Sequence, residues 1–468
     1  MNDYSLVIDG RYVATKQTLA VRNPVDHSAV GQMPVATQEH LNKAVEAAKT
    51  AFPAWSARPD DERRALCHQI ADKIELHAED LAQLLTLEQG KPLNGFGSRF
   101  ELGSAVAWAR ATADLTLPLE VIEDGPEGRV EVRHKPIGVV GSITPWSWPV
   151  MIACWHLFPA ILAGNTVVCK PSSHTPLAAL RMMELMNSLL PPGVVNSVTG
   201  DGMIGNLLAS HPNVNKMIFT GSTPTGKRVM EAATGTLKRL TLELGGNDAG
   251  IVMPDVNPAQ IAEGLFWGAF INSGQTCVAL KRLYVHESVY DAVCGALVSY
   301  AAQVKMGDGR KESNVLGPMQ SEKQFSVVHD LVENARDRGG KILIGGNPGS
   351  GPGYFYPPTL VANVDNGVRL VDEEQFGPAL PIIKYSNFDE AISKANTSPF
   401  GLGGSVWASD VRAAKKLATR LECGSIWINR HGAIRPHAPF GGIKQSGFGV
   451  AFGADGLKEF TTIQTMLI

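Results

Sequence analysis

The chain has 468 residues, of which 44% are hydrophobic and 19% charged, so its length predicts two or three domains and its composition can bury a sizeable core. These values exclude a disordered tail and a small disulfide-stapled protein. Lys plus Arg number 42 and Asp plus Glu 45, and the resulting net charge of −3 gives no general attraction to nucleic acid or to an anionic membrane surface, so neither is an expected partner.

The cysteines and the N-terminal residues predict a cytoplasmic protein. The six cysteines are scattered, with none in a Cys-x-x-Cys pair or at zinc spacing to a histidine, which indicates a reducing compartment and no metal site. Residues 1–10 carry acids where a signal peptide has a basic start and an apolar core. Residues 136–169 contain no Lys, Arg, Asp or Glu, but their prolines and glycines break them into strand, turn and helix. We interpret them as a buried segment at the middle of the fold.

The first half of the chain shows helical patterns followed by alternating strands and helices. Residues 6–13 are β-like, and apolar residues recur near every 3.6 positions in 38–55 and 60–89, which predicts amphipathic helices. From residue 137 onward, short β-branched runs alternate with helical ones, which is typical of a mostly parallel sheet covered on both faces. The predicted strands are 137–143, 166–169, 194–198, 216–219 and 240–244, and the predicted helices are 150–162, 177–190 and 225–233.

The alternation resumes after Gly245-Gly246 and predicts a second α/β domain. Its first elements are predicted at 250–253, 258–270, 282–286 and 289–305. Residues 117–134, which alternate polar and apolar around a Gly-Pro turn, and the terminal strand-like residues 457–468 fit neither domain. They are predicted either to pair with a partner subunit as β arms or to form a surface hairpin within one chain.

Two glycine-containing turns link predicted strands to predicted helices. Gly200-Asp-Gly202-Met-Ile-Gly205 matches the dinucleotide fingerprint in spelling, but the acid that this fingerprint needs about 20 residues further on does not follow. Phe219-Thr-Gly221-Ser222-Thr-Pro-Thr-Gly226 offers backbone N–H groups at a helix start, which suits a pyrophosphate. The alternative for the second turn is a capped helix start without a ligand.

One cysteine and one glutamate stand out as candidate catalytic residues. Cys277 ends the polar turn Asn272-Ser-Gly-Gln-Thr-Cys277, where a thiol can be exposed and its thiolate can meet backbone N–H groups. Glu243 ends an apolar strand, where a buried carboxylate is costly unless it has a task such as general base catalysis.

Seven segments, in order along nearly the whole chain, resemble the aldehyde dehydrogenase superfamily. These segments are Thr144-Pro-Trp146, Gly164-Asn-Thr-Val-Val-Cys-Lys170-Pro-Ser172, Phe219-Thr-Gly-Ser222, Leu242-Glu-Leu-Gly-Gly246, Gly274-Gln-Thr-Cys277, Glu374-Gln-Phe-Gly-Pro378 and Pro439-Phe-Gly-Gly-Ile-Lys-Gln-Ser-Gly447.

The resemblance implies an enzyme that oxidises an aldehyde to a carboxylic acid with NAD or NADP, NAD being favoured. In this scheme the Cys277 thiolate attacks the aldehyde carbon, a hydride leaves the thiohemiacetal, and Glu243 activates the water that hydrolyses the thioester. The cofactor-binding residues implied are Thr144, Trp146, Lys170, Ser172, Ser173, Gly202, Gly221, Ser222, Gly226, Leu244, Glu374 and Phe376. The substrate-binding residues implied are Trp148, Ile152, Trp155, Thr276 and Val278.

The chain departs from the family pattern at four positions. Ser147 stands where the family usually has an asparagine whose amide stabilises the oxyanion, so Ser147 is a candidate catalytic residue with a shorter side chain. His156 and Ala451 replace a lysine and a glutamate that the family often has. Ser173 replaces the glutamate common in NAD-preferring members, which repels the 2′-phosphate of NADP, so use of both cofactors is expected.

The substrate stays open at this level. The five implied substrate-binding residues, three of them in or just before one predicted helix and two beside the nucleophile, favour an apolar or aromatic aldehyde. The loop 429–437 contains Arg430 and Arg435, which suit an aldehyde with an acidic tail. A third interpretation makes that loop an ordinary solvated surface.

The resemblance also implies how the chain divides into domains. The fold expected is α/β with two doubly wound parallel-sheet domains and a small β oligomerisation arm. Residues 1–116 and 135–243 form the Rossmann-like dinucleotide-binding domain, 244–454 the catalytic domain, and 117–134 with 455–468 the arms of a homodimer or homotetramer. The alternatives are a catalytically weakened protein of this fold that binds dinucleotide and an esterase or thioesterase that uses Cys277 without hydride transfer.

Overall fold

The structure is a computed structural model that describes residues 4–468. Within these residues the strands, β1 to β22 in chain order, are Leu6–Ile8, Arg11–Val13, Thr18–Arg22, Ala29–Pro34, Glu120–Gly125, Gly128–Pro136, Val139–Ile143, Thr166–Lys170, Val195–Ser197, Lys216–Thr220, Arg239–Glu243, Asp248–Val252, Leu280–His286, Lys341–Ile344, Thr359–Ala362, Ala379–Tyr385, Phe400–Gly401, Gly403–Trp407, Ser425–Ile428, Ile443–Lys444, Gly447–Phe448 and Thr461–Leu467. The helices, α1 to α15, are Gln38–Ser56, Asp60–Leu76, Ala78–Gln89, Ser98–Ala113, Pro149–Leu162, Leu177–Asn187, Gly202–Ser210, Thr223–Ala233, Pro258–Phe270, Tyr290–Ala301, Glu322–Asp337, Arg369–Asp372, Phe388–Asn396, Val411–Ala418 and Gly453–Lys458. Short 3-10 helices span Thr234–Thr236 and Ile271–Gly274.

The first large sheet has the strand order β2-β1-β9-β8-β7-β10-β11-β21. The strands from β9 to β11 are parallel, and antiparallel strands close both edges. In this register Ile143 pairs with both Lys170 and Phe219, and Thr220 pairs with Glu243. The carboxyl ends of these strands therefore meet at one edge of the sheet, where open α/β sheets bind their ligands.

The second large sheet has the order β14-β15-β16-β13-β12-β18-β19, and its strands are parallel from β15 to β19. Helices cover both sheets, and the apolar cores pack between helices and strands. The predicted α/β fold with two doubly wound sheets is confirmed.

Most predicted elements lie within a few residues of the observed ones, with two differences. Residues 60–89 form two helices, α2 and α3, which meet at His77. The apolar spacing continues through this junction, so the pattern did not signal the break. Strand β21, from the segment 244–454 predicted to be catalytic, pairs with β11 and joins the first sheet.

The uncharged segment 136–169 lies inside the protein, as predicted. It contains β7, α5 and most of β8, and every residue of α5 is buried. Among residues 4–468 no helix is both long and apolar enough to cross a membrane.

The two predicted arms pair with each other in a third sheet of order β22-β6-β5. Strand β22 runs antiparallel to β6, from Thr461 opposite Pro136 to Leu467 opposite Val130. This sheet exposes apolar side chains that include Ile122 and Ile463. The structure thus contains the hairpin within one chain, and pairing with a partner subunit stays a prediction.

Candidate active site

The edge of the first sheet brings the predicted catalytic glutamate beside a threonine. Glu243 is the last residue of β11, and its Oε2 accepts a hydrogen bond from the Thr220 hydroxyl at 3.1 Å. Its other oxygen, Oε1, is buried and has no hydrogen-bond partner among residues 4–468. Burial raises the pKa of Glu243 to about 7, and Glu459 raises it further while the Thr220 bond opposes the change. Glu243 can therefore both hold and release a proton near neutral pH.

Cys277 is the cysteine that lies on the wall of the large apolar cavity. It is partly exposed, whereas Cys67, Cys154, Cys169 and Cys294 are buried. Desolvation, followed by the carboxylates of Glu243, Asp248 and Glu374, raises the pKa of the Cys277 thiol, and a hydrogen bond from the backbone of Val278 opposes this rise. The resting side chain is therefore a thiol, which must lose its proton before it can attack a carbonyl carbon.

The turn that carries Cys277 has an unusual backbone that other residues hold in place. Asn272 and Ser273 adopt left-handed conformations with φ of 51° and 54°. The buried Lys281 ammonium donates to the carbonyls of Gly274 at 2.7 Å and Gly377 at 2.8 Å. Lys281 therefore ties the nucleophile turn to the loop that contains Glu374 and Phe376.

Ser147, the predicted oxyanion residue, is fixed by a buried ion pair. The Ser147 carbonyl accepts from Lys91 Nζ at 2.8 Å and from Asn272 Nδ2 at 2.9 Å. Lys91 in turn pairs with Glu101 at 2.5 Å, both side chains being fully buried. The other Glu101 oxygen accepts from the first backbone N–H groups of α5, at Val150 and Met151. This network, the Lys91–Glu101 clamp, sets the position of Ser147 relative to the nucleophile turn.

Replacing Lys91 by methionine is expected to lower the free energy of unfolding by about 3–5 kcal/mol, because it leaves the Glu101 carboxylate buried without its cation. Urea denaturation would measure the loss. The exposed pair Lys43–Glu39 offers a control, since Lys43→Met should change stability by less than about 0.5 kcal/mol. An equally small effect of Lys91→Met would contradict the importance of the clamp.

The predicted cofactor residues gather around the carboxyl ends of the first sheet. Thr144 follows β7, Lys170 ends β8, Gly202 begins α7, and Gly221 and Leu244 follow β10 and β11. Ser172 and Ser173 are partly exposed just beyond β8, Ser222 precedes α8, and Gly226 in α8 lies against Leu244.

Glu374 and Phe376, which are predicted to bind the cofactor, contact residues that follow strands of the first sheet. The Phe376 ring packs edge-on against Trp146 with centroids 5.3 Å apart. Glu374 accepts a hydrogen bond from the Gly246 backbone N–H at 3.0 Å, and burial raises its pKa to about 7. These two contacts place Glu374 and Phe376 beside residues that follow strands of the first sheet.

All five predicted substrate residues line a cavity of about 430 Å³ that also contains Cys277. Trp148 lies just before α5 and donates from its ring N–H to the Thr276 hydroxyl at 3.0 Å. Sequence reasoning missed the other aromatic walls, because they come from distant segments with no shared pattern. These walls are Phe96, Phe100, Trp108, Trp267 and Phe440.

Comparisons with known proteins agree with this arrangement. The sequence profile of the aldehyde dehydrogenase family matches residues 12–466. The chain is 37% identical to phenylacetaldehyde dehydrogenase of Pseudomonas fluorescens, over 99% of this chain and 96% of that protein. It is 38% identical to retinaldehyde dehydrogenase 3 of Rattus norvegicus, over 100% and 91% of the two chains.

A solved structure shows the same fold. The crystal structure of betaine aldehyde dehydrogenase from Staphylococcus aureus in complex with NAD⁺ superposes with a TM-score of 0.96 at 32% identity, covering 99% of this chain and 95% of that one. These matches extend over nearly the whole length of both partners. The chain therefore belongs to the aldehyde dehydrogenase family and is an oxidoreductase.

Proposed function

We propose that this enzyme oxidises a bulky apolar or aromatic aldehyde to the carboxylic acid with NAD⁺ or NADP⁺, with Cys277 as nucleophile and Glu243 as general base. The observation that carries the proposal is the partly exposed Cys277 thiol on the wall of a cavity of about 430 Å³. Glu243 is close enough for its charge to raise the pKa of that thiol. The nucleophile thus lies where a substrate would enter, and the charge of the proposed base reaches it.

The proposed reaction has two stages, oxidation at Cys277 and hydrolysis with Glu243 as base. The partly exposed Cys277 thiol gives its proton to solvent, and its sulfur forms a bond to the aldehyde carbon as the C=O electron pair moves to oxygen. The product is a thiohemiacetal oxyanion, which the backbone N–H of Cys277 and the Ser147 side chain are proposed to stabilise. A bound dinucleotide supplies the acceptor for the hydride that then leaves this carbon. Glu243 takes a proton from water as the water oxygen bonds to the thioester carbon, and the sulfur leaves to regenerate Cys277 and free the acid.

The residues at the sheet edge fit a dinucleotide. The Thr144 hydroxyl is buried without a hydrogen-bond partner in the described chain. The buried Lys170 ammonium donates a long hydrogen bond, of 3.4 Å, to the neighbouring Pro171 carbonyl. Burial lowers the pKa of Lys170 to about 8, so the amine still carries a proton at neutral pH. Both groups can serve the hydroxyls of a ribose, and Ser173 adds no charge that would repel a 2′-phosphate.

The two glycine turns differ in how well they suit the pyrophosphate. Asp201 caps α7 by accepting from the Met203 N–H at 2.9 Å, which places a carboxylate where the anion would lie. At the start of α8, Ser222 makes no side-chain capping bond within residues 4–468. We therefore assign the pyrophosphate to the turn Gly221-Ser222 at the N-terminus of α8.

The test is an aldehyde panel with NAD⁺ and NADP⁺, followed by the absorbance of the reduced nicotinamide. Glu243→Gln is expected to keep the initial burst of reduced nicotinamide and to slow the steady rate by about 10²–10⁴-fold, because only hydrolysis needs the base. The control is the wild-type enzyme at the same concentration. If the wild-type protein bound cofactor but produced no reduced nicotinamide from any aldehyde, the catalytically weakened alternative would replace this proposal.

The cavity walls favour an uncharged substrate over one with an acidic tail. Arg430 and Arg435 reach the cavity but are exposed, and Arg435 donates to the neighbouring carbonyl of Ile434. Water therefore screens their attraction for a carboxylate. We expect benzaldehyde to have at least a tenfold higher kcat/KM than 4-carboxybenzaldehyde, since burying the carboxylate of the latter among aromatic walls costs more than about 1.4 kcal/mol. The opposite preference, lost in Arg430→Gln or Arg435→Gln, would favour the acidic substrate.

A further inference from the structure

A run of buried polar side chains leads away from Glu243 into the protein. The Thr220 hydroxyl donates to Glu243 Oε2 at 3.1 Å, and Thr220 Oγ1 lies 2.9 Å from His156 Nε2. On the far side of the ring, His156 Nδ1 lies 2.9 Å from the Ser142 hydroxyl. Ser142, His156, Thr220 and Glu243 are all buried. We call these four residues the Glu243 chain.

Each hydrogen bond of the Glu243 chain has a defined direction. A carboxylate can only accept, so the Thr220 hydroxyl must donate to Glu243 and its oxygen is left to accept from His156 Nε2–H. A neutral imidazole carries one N–H, so His156 Nδ1 accepts from the Ser142 hydroxyl. Burial, followed by Lys216, lowers the pKa of His156 to about 3, which keeps the ring neutral.

We propose that Ser142, His156 and Thr220 are positioning residues, which hold Glu243 by Oε2 and leave Oε1 to the water that hydrolyses the thioester, an inference that rests on the proposed function of Glu243. The support is the asymmetry of the carboxylate. Oε2 is at the end of three successive hydrogen bonds, whereas Oε1 is buried without a partner among residues 4–468. Hydrogen bonds in such a series polarise one another and strengthen the last one.

Other ionisable groups surround the Glu243 chain. Lys216 faces His156, but its ammonium donates to Thr241 at 2.6 Å and pairs with Glu459 at 3.6 Å. Glu459 and the Cys277 thiol face Glu243, and the Cys169 thiol lies beside Ser142. Glu459 disfavours the charged form of Glu243, so the Thr220 donor is the neighbouring side chain that favours it.

Removing the Thr220 hydroxyl is therefore expected to raise the pKa of Glu243. Without the Thr220 hydroxyl the Glu243 carboxylate is less stable, its pKa rises, and hydrolysis needs a higher pH. We expect Thr220→Val to move the acid limb of the pH profile of the steady-state rate upward by about one pH unit. This is the pKa shift that the loss of one hydrogen bond to a charged group produces. The initial burst of reduced nicotinamide should keep its own pH dependence, because it precedes hydrolysis.

Matched substitutions separate the hydrogen bond from the packing. Thr220→Ser keeps a hydroxyl and should move the limb by less than half as much as the isosteric Thr220→Val. His156→Leu should move it in the same direction, and His156→Gln, whose amide can donate to Thr220, should restore most of the wild-type position. Thr166→Val is the control, since the buried Thr166 hydroxyl bonds the Ala48 carbonyl away from the site.

A second measurement does not depend on activity. Nitrogen NMR of enzyme labelled with ¹⁵N-histidine should show that the His156 ring is neutral and protonated at Nε2 from pH 5 to 8. The His156 signals are assigned as those that disappear in His156→Gln. A ring protonated at Nδ1, or equal pH profiles of Thr220→Val and Thr166→Val, would overturn the inference. If Glu243→Gln hydrolysed the thioester as fast as wild type, the proposed base would fail while the NMR result stood, so the two failures are distinguishable.

Discussion

Replacing Cys277 by serine is expected to lower the rate of reduced nicotinamide formation by a factor on the order of 10⁴ or more, because an alcohol is a far weaker nucleophile than a thiol and the buried surroundings do not ionise it. The thiol and the hydroxyl are similar in size, so the turn that Lys281 holds should keep its shape. The cavity and the cofactor residues remain in place, and cofactor binding should persist.

The measurement is the single-turnover yield of reduced nicotinamide, together with the affinity for NAD⁺ from protein fluorescence. Cys423→Ser provides a matched control, since Cys423 is also partly exposed but lies outside the apolar cavity. It should keep its activity within about twofold. Activity of Cys277→Ser within tenfold of wild type would exclude Cys277 as the nucleophile.

Ser147→Asn is expected to raise kcat by a factor on the order of 10², the usual worth of one oxyanion donor. The prediction comes from the position of Ser147 in the fold. Its carbonyl is fixed by Lys91 and by Asn272 of the nucleophile turn, so a longer amide side chain starts from a backbone already held against that turn. The amide N–H₂ of asparagine extends further from the backbone than the serine hydroxyl, so we expect it to reach the developing charge.

The rate should be measured with saturating aldehyde and cofactor, so that a change in binding does not appear as a change in kcat. Ser147→Ala is the companion variant, and it should lower kcat less than Ser147→Asn raises it, because the serine hydroxyl is the shorter donor. An unchanged or lower kcat for Ser147→Asn in a normally folded enzyme would show that the serine already suffices.

The local elements were predictable because neighbouring residues determine them. The 3.6-residue apolar spacing and the β-branched runs placed most of the helices and strands of the first sheet within a few residues of their observed bounds. The junction at His77 was not predicted, since no glycine or proline marks it. The short strand Gly447–Phe448 was also missed, because its pairing with Arg239–Glu243 spans about half of the chain.

The ion pairs behind the site could not be predicted either. Lys91 and Glu101 look like ordinary charges in the sequence, and Lys281 looks like a residue on a strand surface. Burial of these groups is stable only because carbonyls and carboxylates from other segments complete their hydrogen bonds. That matching depends on how the chain crosses between strands, which local patterns do not record.

The sequence by itself determined the α/β class, the uncharged segment as an interior one, the family resemblance, and the choice of Cys277 and Glu243, because these depend on composition, periodicity and short motifs. Its six scattered cysteines indicated a reducing compartment, and its balanced charge indicated no general attraction to nucleic acid or membranes. The tertiary structure decided that Cys277 lies on an aromatic cavity and that Ser147 is held by Lys91. It also decided that one oxygen of Glu243 is hydrogen-bonded while the other has no partner among residues 4–468. These features arise where distant segments meet, and only the folded chain brings their atoms within hydrogen-bonding distance.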